Sequence, residues 1–404
     1  MPESLFASVE MAPRDPILGL TEQYNNDPTP GKINLGVGVY LDDTGKIPVL
    51  ECVAAAEQML VGTGKPKGYL PIDGIAAYDR AVQELVFGAD SEAVRGHRVA
   101  TVQTLGGTGG LKLGADLLAR MHPGAPLLIS DPSWENHRAL FTQAGFAVGT
   151  YPYYDAATRG VRFATMLAAL QATAAGTIVV LHACCHNPTG CDLTLPQWEQ
   201  VAAACTAGGL VPFLDMAYQG FGQGIAEDGA AVECFLRQGT SFLISTSFSK
   251  SFSLYGERAG ALSVVCQNTE ECGRVLSQLK TLVRTNYSSP PTFGAQIVAT
   301  VLGTPELRRR WEAELAGMRD RIRAMRHALV AGLKAAGGKG KQGGDPDYIT
   351  RQAGMFSYSG LSVAQMQRLR SEFGIYGLDS GRICVAAINS GNIDAVSRAM
   401  AAVM

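Results

Sequence analysis

The middle of the chain alternates short apolar runs with helical patterns, and this alternation restricts the possible fold more than any other feature. The apolar runs lie at 99–104, 127–130, 177–182, 210–215, 241–246 and 260–265. Helical patterns separate them, for example at 111–121 and 195–208. Nearly continuous apolar strands that alternate with helices form mostly parallel sheets with helices on both faces. The sequence therefore predicts an α/β fold with a mostly parallel central sheet.

The pattern changes after about residue 300, where Thr304 and Pro305 provide a helix start. Apolar residues then recur at steps of three or four, at Leu307, Trp311, Leu315, Met318, Ile322, Met325, Leu329 and Leu333. This stripe predicts one long helix that ends at Gly337-Gly338, before a flexible segment GGKGKQGGD. GMFSYSG and GRICVAAIN then resemble strands. We predict a large α/β domain over 46–310 and a smaller α+β domain that combines an N-terminal arm, 1–45, with 311–404.

Composition narrows the class of protein. Apolar residues make up 47% and charged residues 17% of the 404 residues, which allows a large core and argues against disorder. The net charge of −2, without a basic block, argues against nucleic acid as a partner. No apolar run approaches the roughly 18 residues of a membrane span, so no membrane partner is expected. The acidic N-terminal segment lacks targeting features, and the nine scattered cysteines are typical of reduced thiols, so we expect a cytoplasmic protein.

The stretch LHACCHNPTG, 181–190, raises the question of a metal or redox site. Cys184 and Cys185 are expected to point to opposite faces of an extended segment, and no second ligand pair lies near at zinc-finger spacing. We therefore favour two buried thiols over a metal-binding module. Pro188 and Gly190 end the strand in a loop, and ligands of open α/β sheets bind at that edge. Asn187 can direct its amide into the same crevice.

Two further strand ends carry ionisable groups. Asp215 follows an apolar run and Tyr218 comes three residues later. A carboxylate in that position requires a cationic or hydrogen-bonding partner, although helix capping is an equally ordinary role. Lys250 follows the run at 241–246, eight residues before Arg258. Cations and hydroxyls together favour an anion site, and a desolvated lysine near other cations has a lowered pKa that suits Schiff-base chemistry. The hydroxyls are those of Ser247, Ser249 and Ser251.

A glycine-rich segment, TLGGTGGLKLG at 104–114, follows the first of these strands and opens a helix. The backbone N–H groups of Gly107 and Thr108 would form a phosphate cradle at that helix N-terminus. The segment matches neither the dinucleotide nor the P-loop motif, which weakens the alternative of an NAD-dependent dehydrogenase. A phosphate cradle, a carboxylate, a phenol, an amide and a lysine together match one cofactor, pyridoxal 5′-phosphate (PLP).

The motifs extend over nearly the whole chain in one order. They are GGTG, DPSWENH, CCHNPTG, DMAYQGF, SFSKSFSLYGERAG, VRTNYSSPP, GMFSYSGL and SGRICVA. In these the chain resembles the fold type I, class I PLP-dependent aminotransferases of the aspartate/aromatic amino acid branch, and QTLGG, ENH, SFSLYGER and NYSSPP lean towards the bacterial aromatic (tyrosine) enzymes. The resemblance implies a homodimer with shared active sites. It also implies transamination between phenylalanine, tyrosine or aspartate and 2-oxoglutarate.

The resemblance assigns four positions to catalysis. Lys250 corresponds to the Schiff-base lysine, whose freed amine moves the proton between the substrate Cα and the cofactor. Asp215 corresponds to the partner of the pyridinium nitrogen. Tyr218 corresponds to a hydrogen-bond donor to the cofactor 3′-oxygen, together with Asn187. Trp134 corresponds to the aromatic residue that stacks on the cofactor ring, although a tryptophan there is also compatible with a plain core position.

The resemblance also implies the residues that hold the phosphate and the substrate. The phosphate would be bound by Gly107, Thr108, Ser247, Ser249, Arg258 and, from the neighbouring subunit, Tyr69. Arg382 would clamp the substrate α-carboxylate near Trp134, Asn187 and the backbone of Gly38. Arg284 would be contributed by the second subunit for a distal carboxylate. From the residues alone, both arginines would be interpreted as surface charges.

The sequence leaves the substrate preference between two alternatives. Three positions differ from those of aspartate-specific relatives and favour aromatic rings, namely Leu41, Ile47 and Ser289. Val39 and Thr108 resemble the aspartate type, and Gly68 departs from both patterns. Arg284 occurs in both branches and does not discriminate. We predict a dual enzyme with aromatic activity; the alternatives are an aspartate-specific aminotransferase and, in principle, a PLP-binding regulator without catalysis.

Overall fold

The computed structural model describes residues 4–64, 66, 68–337 and 345–404. The helices, in chain order, are α1 Pro16–Asn26, α2 Glu51–Val61, α3 Ala76–Phe87, α4 Glu92–Arg95, α5 Gly106–Met121, α6 Glu135–Gln143, α7 Phe163–Gln171, α8 Leu195–Ala207, α9 Ala230–Gln238, α10 Thr269–Asn286, α11 Phe293–Gly303, α12 Pro305–Ala335, α13 Tyr348–Arg351, α14 Val363–Phe373 and α15 Ile393–Val403. Short 3₁₀ turns occur at Glu227–Gly229 and Val385–Ala387.

The strands, in chain order, are β1 Ile33–Asn34, β2 Val99–Leu105, β3 Leu127–Asp131, β4 Val148–Pro152, β5 Tyr154–Asp155, β6 Gly160–Val161, β7 Ile178–His182, β8 Val211–Met216, β9 Phe242–Ser247, β10 Ala259–Val265, β11 Phe356–Tyr358, β12 Ile375–Tyr376 and β13 Arg382–Cys384. Seven of them form one sheet in the order β2-β10-β9-β8-β7-β3-β4. β10 is antiparallel to both of its neighbours and the other pairs are parallel, which confirms the predicted mostly parallel sheet. The six predicted strands are all present, and β4 was not predicted.

Both faces of this sheet are covered by helices. Successive residues of β7 alternate between two buried apolar clusters. Ile178 and Val180 belong to the cluster that contains α5, whereas Val179 and Leu181 belong to the cluster that contains α8. This period of two, with apolar residues in both directions, explains why each strand was a continuous apolar run in the sequence.

The strand register brings the predicted site residues to one edge of the sheet. His182, Asp215 and Ser245 lie side by side on β7, β8 and β9. The antiparallel β10 begins where β2 and β9 end, with Ala259 opposite Leu105 and Gly260 opposite Ser247. Residues that precede β10 therefore lie next to the start of α5 and the end of β9.

The long C-terminal helix is confirmed as α12, with the predicted stripe largely buried. Met325 is an exception, because it is only partly buried, whereas the adjacent Arg326 is buried. The Arg326 guanidinium donates to the carbonyl oxygens of Gly354 at 2.8 Å and Phe356 at 2.5 Å. The helix ends at Ala335, and most of the predicted flexible segment, 338–344, lies outside the described residues.

The terminal parts of the chain form two small two-stranded sheets. β11 pairs with β13, as expected from the two C-terminal motifs, and β1 pairs with β12. The N-terminal segment is not only arm and loops, because α1 occupies Pro16–Asn26. Asp15 caps this helix by accepting hydrogen bonds from the backbone of Ile17 and Leu18, a signal that the sequence contained. Within the described ranges, no helix combines the length and apolar character that a membrane crossing requires. The predicted domain boundaries stay a prediction.

Candidate active site

A cavity of about 150 Å³ lies at the carboxyl edge of the central sheet. Eleven of the fourteen predicted site residues line it: Gly38, Gly107, Thr108, Trp134, Asn187, Asp215, Tyr218, Ser247, Ser249, Lys250 and Arg258. Leu111, Ala217 and Tyr255 also line the cavity and were not predicted. Groups separated by more than 200 residues in the chain thus meet in one crevice, as expected for an open α/β sheet.

Asp215 is held by a histidine that the sequence analysis did not identify. The Nε2 atom of His137 lies 3.0 Å from Oδ2 of Asp215, and its Nδ1 atom lies 2.9 Å from the Ser133 hydroxyl. His137 is on α6, three residues after Trp134, so one helical turn carries both the predicted stacking residue and the carboxylate's partner. The motif ENH contained His137, but nothing in its spacing linked it to Asp215.

The environment of Asp215 favours its charged form. Burial by itself would raise the pKa of this carboxyl group, but the hydrogen bond and charge of His137, with contributions from His182 and Lys250, bring the pKa below its usual value. Burial lowers the pKa of His182 to about 3, so that ring stays neutral. Asp215 is therefore a buried carboxylate that can accept a hydrogen bond from a protonated ring nitrogen.

Lys250 follows β9 in the chain and lines the same cavity as Asp215. Its Nζ atom is 4.9 Å from the centroid of the Tyr218 ring. Burial lowers the pKa of Lys250 to about 8; the attraction of Asp215 opposes this shift, and the positive charges of Arg258 and Arg382 add to it. At pH 7 about a tenth of such an amine is uncharged, far more than for an ordinary lysine, and a Schiff-base nucleophile requires the uncharged form.

The start of α5 forms a cradle of the kind predicted for a phosphate. Gly106 has a φ of 66°, and a Cβ atom there would lie 2.5 Å from Nη2 of Arg258. Glycine therefore allows the guanidinium to approach the first turn of the helix, and Nη1 of Arg258 also lies 3.3 Å from the Ser249 hydroxyl. A helix N-terminus, a guanidinium and hydroxyls in one place fit a phosphate dianion. The residues present thus fit PLP.

Arg382 is buried on β13, with 1% of its surface exposed, so the interpretation of a surface charge from the residues alone would be wrong. Its Nη1 atom donates to Asn187 Oδ1 at 3.1 Å, and Nη2 donates to the carbonyl oxygen of Gly36 at 2.8 Å. The guanidinium also stacks 4.3 Å above the centroid of the Phe356 ring. A Cβ atom at Gly38 would lie 3.0 Å from that ring, so this glycine permits close approach of the backbone.

Three of the fourteen predicted residues do not line the cavity: Arg382, whose buried contacts are given above, and the two exposed residues Tyr69 and Arg284. Tyr69 is 97% exposed, and Arg284 is exposed near the end of α10, where it donates to the Ser288 hydroxyl. Both were predicted to serve the site of a neighbouring subunit, and their exposure on a single chain is compatible with that role. Their functions stay predictions.

Cys184 and Cys185 do not point to opposite faces of an extended segment, as the sequence analysis expected. Cys185 has a φ of 49°, so the segment is not extended there. The two sulfur atoms and a carboxylate oxygen of Asp228 lie within 4.8 Å of one another, and the argument from opposite faces was therefore wrong. The oxygens of Asp228 already accept backbone N–H groups at 2.8–2.9 Å. A hydrogen bond with Cys184 and burial raise the pKa of Cys185 well above its usual value, which disfavours the thiolate that binds metals.

Comparison with known proteins identifies the family. The profile of the family described as "Aminotransferase class I and II" matches residues 30–400. The chain is 59% identical to an aspartate aminotransferase of Pseudomonas aeruginosa and 51% identical to an aromatic-amino-acid aminotransferase of Escherichia coli K12, and each match covers 99% of this chain and 100% of the relative. It also resembles the crystal structure of an aromatic-amino-acid aminotransferase of Burkholderia pseudomallei, covalently bound to pyridoxal phosphate, with a TM-score of 0.96 and 60% identity over 99% of this chain and 100% of that one.

The chain therefore belongs to the class I and class II aminotransferases. This membership confirms the predicted family, the fold type I architecture, the aminotransferase activity and the PLP cofactor. The assignment of individual residues to roles rests on their geometry and on the resemblance of their motifs.

Proposed function

We propose that this protein transfers an amino group between an aromatic amino acid or aspartate and 2-oxoglutarate at the cavity described above. The observation that carries the proposal is the position of Lys250, an amine with a lowered pKa in the same cavity as the charged Asp215 and the cradle around Arg258. When bound, PLP supplies an electron sink for the negative charge that develops at the substrate Cα. The chain's own residues supply the binding, orientation and proton transfer.

Lys250 is the proton carrier in this proposal. With a pKa of about 8, its amine takes a proton from the substrate Cα and returns one to the cofactor side without a large energetic penalty in either direction. The amine lies beside the Tyr218 ring, so the proton carrier and the phenol share one part of the cavity lining. General acid–base catalysis is most efficient when the pKa of the catalytic group lies near the working pH.

Asp215 and Tyr218 set the charge distribution around the cofactor. Asp215, kept charged by His137, would hold the cofactor ring nitrogen in its protonated form. Burial raises the pKa of Tyr218, so its hydroxyl stays protonated and could donate a hydrogen bond to an oxygen of the cofactor. Asn187 lines the same cavity and would offer a second polar contact.

Arg382 binds the α-carboxylate that every substrate carries. Its contacts to Asn187 and Gly36, and its position on the Phe356 ring, fix the plane of the guanidinium before substrate arrives. A fixed guanidinium fork matches a carboxylate and loses little conformational freedom on binding it. Asn187, which Arg382 contacts, lines the cavity together with Trp134 and Gly38.

We also propose a cytoplasmic homodimer with composite sites. Tyr69 and Arg284 are exposed and do not line the cavity of their own chain, and we propose that they complete the cavity of a partner. The N-terminal arm exposes large apolar side chains, at least 71% accessible each, which a second subunit would cover. They are Leu5, Phe6, Val9 and Met11. The nine free cysteines are all buried, which fits a reducing compartment.

Some relatives are named aspartate aminotransferases and others tyrosine or aromatic-amino-acid aminotransferases, and both groups match 99% of the chain. This supports a dual specificity. The second candidate is an aspartate-specific enzyme, which is favoured by the 59% identity to the Pseudomonas aeruginosa protein. Single-turnover reactions of the PLP-loaded enzyme with phenylalanine, tyrosine and aspartate distinguish the two. A dual enzyme converts all three, whereas no detectable phenylalanine reaction leaves the aspartate-specific alternative.

A further inference from the structure

Arg382 and Glu135 come from distant parts of the chain and meet beside the cavity. Glu135 is the first residue of α6, directly after Trp134. Its Oε2 atom lies 3.7 Å from Nη1 of Arg382, which is the distance of an ion pair without a hydrogen bond. This oxygen is buried and, among the described residues, makes no hydrogen bond, and the same holds for Nε of Arg382.

Glu135 supplies a negative charge next to the buried guanidinium of Arg382. A guanidinium as buried as that of Arg382 is unfavourable without a counter-charge, and the oxygens of Asn187 and Gly36 are neutral. Glu135 provides the negative charge, but its contact is long and its side chain is 24% exposed. A substrate carboxylate that forms two direct hydrogen bonds to Arg382 would therefore replace it.

We propose that Glu135 is a resident counter-ion of Arg382, which the substrate α-carboxylate displaces, so that Glu135 sets the affinity of the enzyme for every carboxylate substrate. The inference rests on the proposed role of Arg382. Glu135 is a positioning residue here, because it acts through Arg382. It keeps the empty site electrically balanced, and its displacement weakens the binding of all substrates alike.

Removing the charge without changing the shape tests the idea. In Glu135→Gln the competing carboxylate is lost, so 3-phenylpropanoate, which has a carboxylate but no amino group to react, should bind about fivefold more tightly. The dissociation constant is measured by calorimetric titration of the PLP-loaded enzyme. KM for phenylalanine and for aspartate should fall by a similar factor. The effect should appear in KM more than in kcat, because Glu135 leaves Arg382 before the chemical step.

Asp379→Asn is the matched control. Asp379 lines the same surface cleft as Glu135, but it pairs with Arg370 at 2.6 Å. The variant removes the same charge and should change the dissociation constant less than twofold. In the Arg382→Ala background, Glu135→Gln should have no effect, because the two residues act as one unit.

Thermal unfolding gives a readout that does not depend on activity. Without ligand, Glu135→Gln should have a lower Tm than the unmutated enzyme, and saturating 3-phenylpropanoate should remove the difference. Unchanged affinity and Tm in Glu135→Gln, with weaker binding in Arg382→Ala, would overturn the counter-ion role alone. Wild-type affinity in Arg382→Ala would instead remove the proposed role of Arg382. An equal gain in Asp379→Asn would overturn the specific pairing.

Discussion

His137 places its Nε2 atom 3.0 Å from Oδ2 of Asp215; both side chains are buried, and Asp215 lines the cavity. The histidine opposes the effect of burial and keeps the carboxylate charged. Since Asp215 is the group that would hold the cofactor ring nitrogen protonated, His137 acts on the reaction without touching the substrate. The relationship leads to a prediction about pH.

His137→Leu should make activity depend more strongly on pH. Without the hydrogen bond, burial dominates and the pKa of Asp215 rises, so its charged fraction is lost as the pH falls through the raised value. Below the raised pKa, each further unit of pH lowers the charged fraction, and with it kcat/KM, about tenfold. The measurement is kcat/KM from pH 9 down to the lowest pH at which the folded enzyme survives, with His137→Asn, which retains a donor, as the control. A His137→Leu profile that superimposes on the unmutated one would contradict the assignment.

Composite active sites predict that two inactive chains restore each other. Lys250→Ala and Arg284→Ala should each lack aspartate activity as homodimers. A hybrid dimer contains one site with both defects and one with neither, because Arg284 comes from the other chain. Random mixing gives hybrids in half of the dimers, so about a quarter of all sites should be intact. Activity is measured after co-refolding and compared with the two parents.

The matched control for this mixture pairs Lys250→Ala with Arg382→Ala. Both residues serve a site from the same chain, so each site of that hybrid keeps one defect and activity should not return. Restoration in the control, or its failure in the Arg284→Ala mixture, would contradict the shared-site arrangement. A monomer in sedimentation would contradict it as well.

Loss of Arg284 should affect kcat/KM for aspartate more than for aromatic substrates, whereas loss of Arg382 should affect both classes. Arg382→Ala removes the contact to a carboxylate that all substrates share, at a cost of about 1.5–3 kcal/mol or more for each of them. Arg284→Ala should lower kcat/KM for aspartate at least about a hundredfold, or roughly 2.7 kcal/mol, with a small loss for phenylalanine. The half-reaction must be followed alone, because 2-oxoglutarate has the same second carboxylate. Equal losses for both substrates would show that Arg284 does not bind the distal carboxylate.

The residues at strand ends were the predictable part of the site. Asp215 lies at the end of β8, Asn187 and Lys250 lie in the segments that follow β7 and β9, and parallel strands bring their carboxyl ends to one edge. Sequence spacing therefore determined which groups would meet. The glycines at the start of α5 were predictable for a similar reason, because a helix N-terminus directly after a strand exposes backbone N–H groups.

The contacts between distant segments were not predictable from spacing. Arg382 meets Asn187, Glu135 and Phe356 only because β13 and α6 come together in the folded chain. His137 meets Asp215 for the same kind of reason. The apolar stripe on α12 gave no sign that Arg326 would be buried, since its guanidinium donates to the carbonyl oxygens of Gly354 and Phe356, which come later in the chain. β4, with the sequence VGTYP, lacks the continuous apolar character of its neighbours.

Lys250→Ala should lower the rate of the half-reaction by several orders of magnitude, because the nucleophile and the proton carrier are lost together. Lys250→Arg is the control, since it retains the positive charge but not an amine that forms a Schiff base. The cofactor-free protein offers a second measurement. Its reaction with PLP should have a midpoint near pH 8, because burial lowers the pKa of Lys250 to about 8 from the usual value of 10.5. A midpoint at the usual lysine value would contradict the description of its environment.

The most direct test of the account is to locate the lysine that holds the cofactor. The purified protein should be yellow, and borohydride reduction should fix the pyridoxyl group to the peptide that contains Lys250. Mass spectrometry of the reduced, digested protein identifies the labelled residue, and Lys250→Ala treated in parallel should carry no label. The account predicts labelling of Lys250 at close to one pyridoxyl group per chain. Label on another lysine, or an unlabelled protein after loading with PLP, would contradict it.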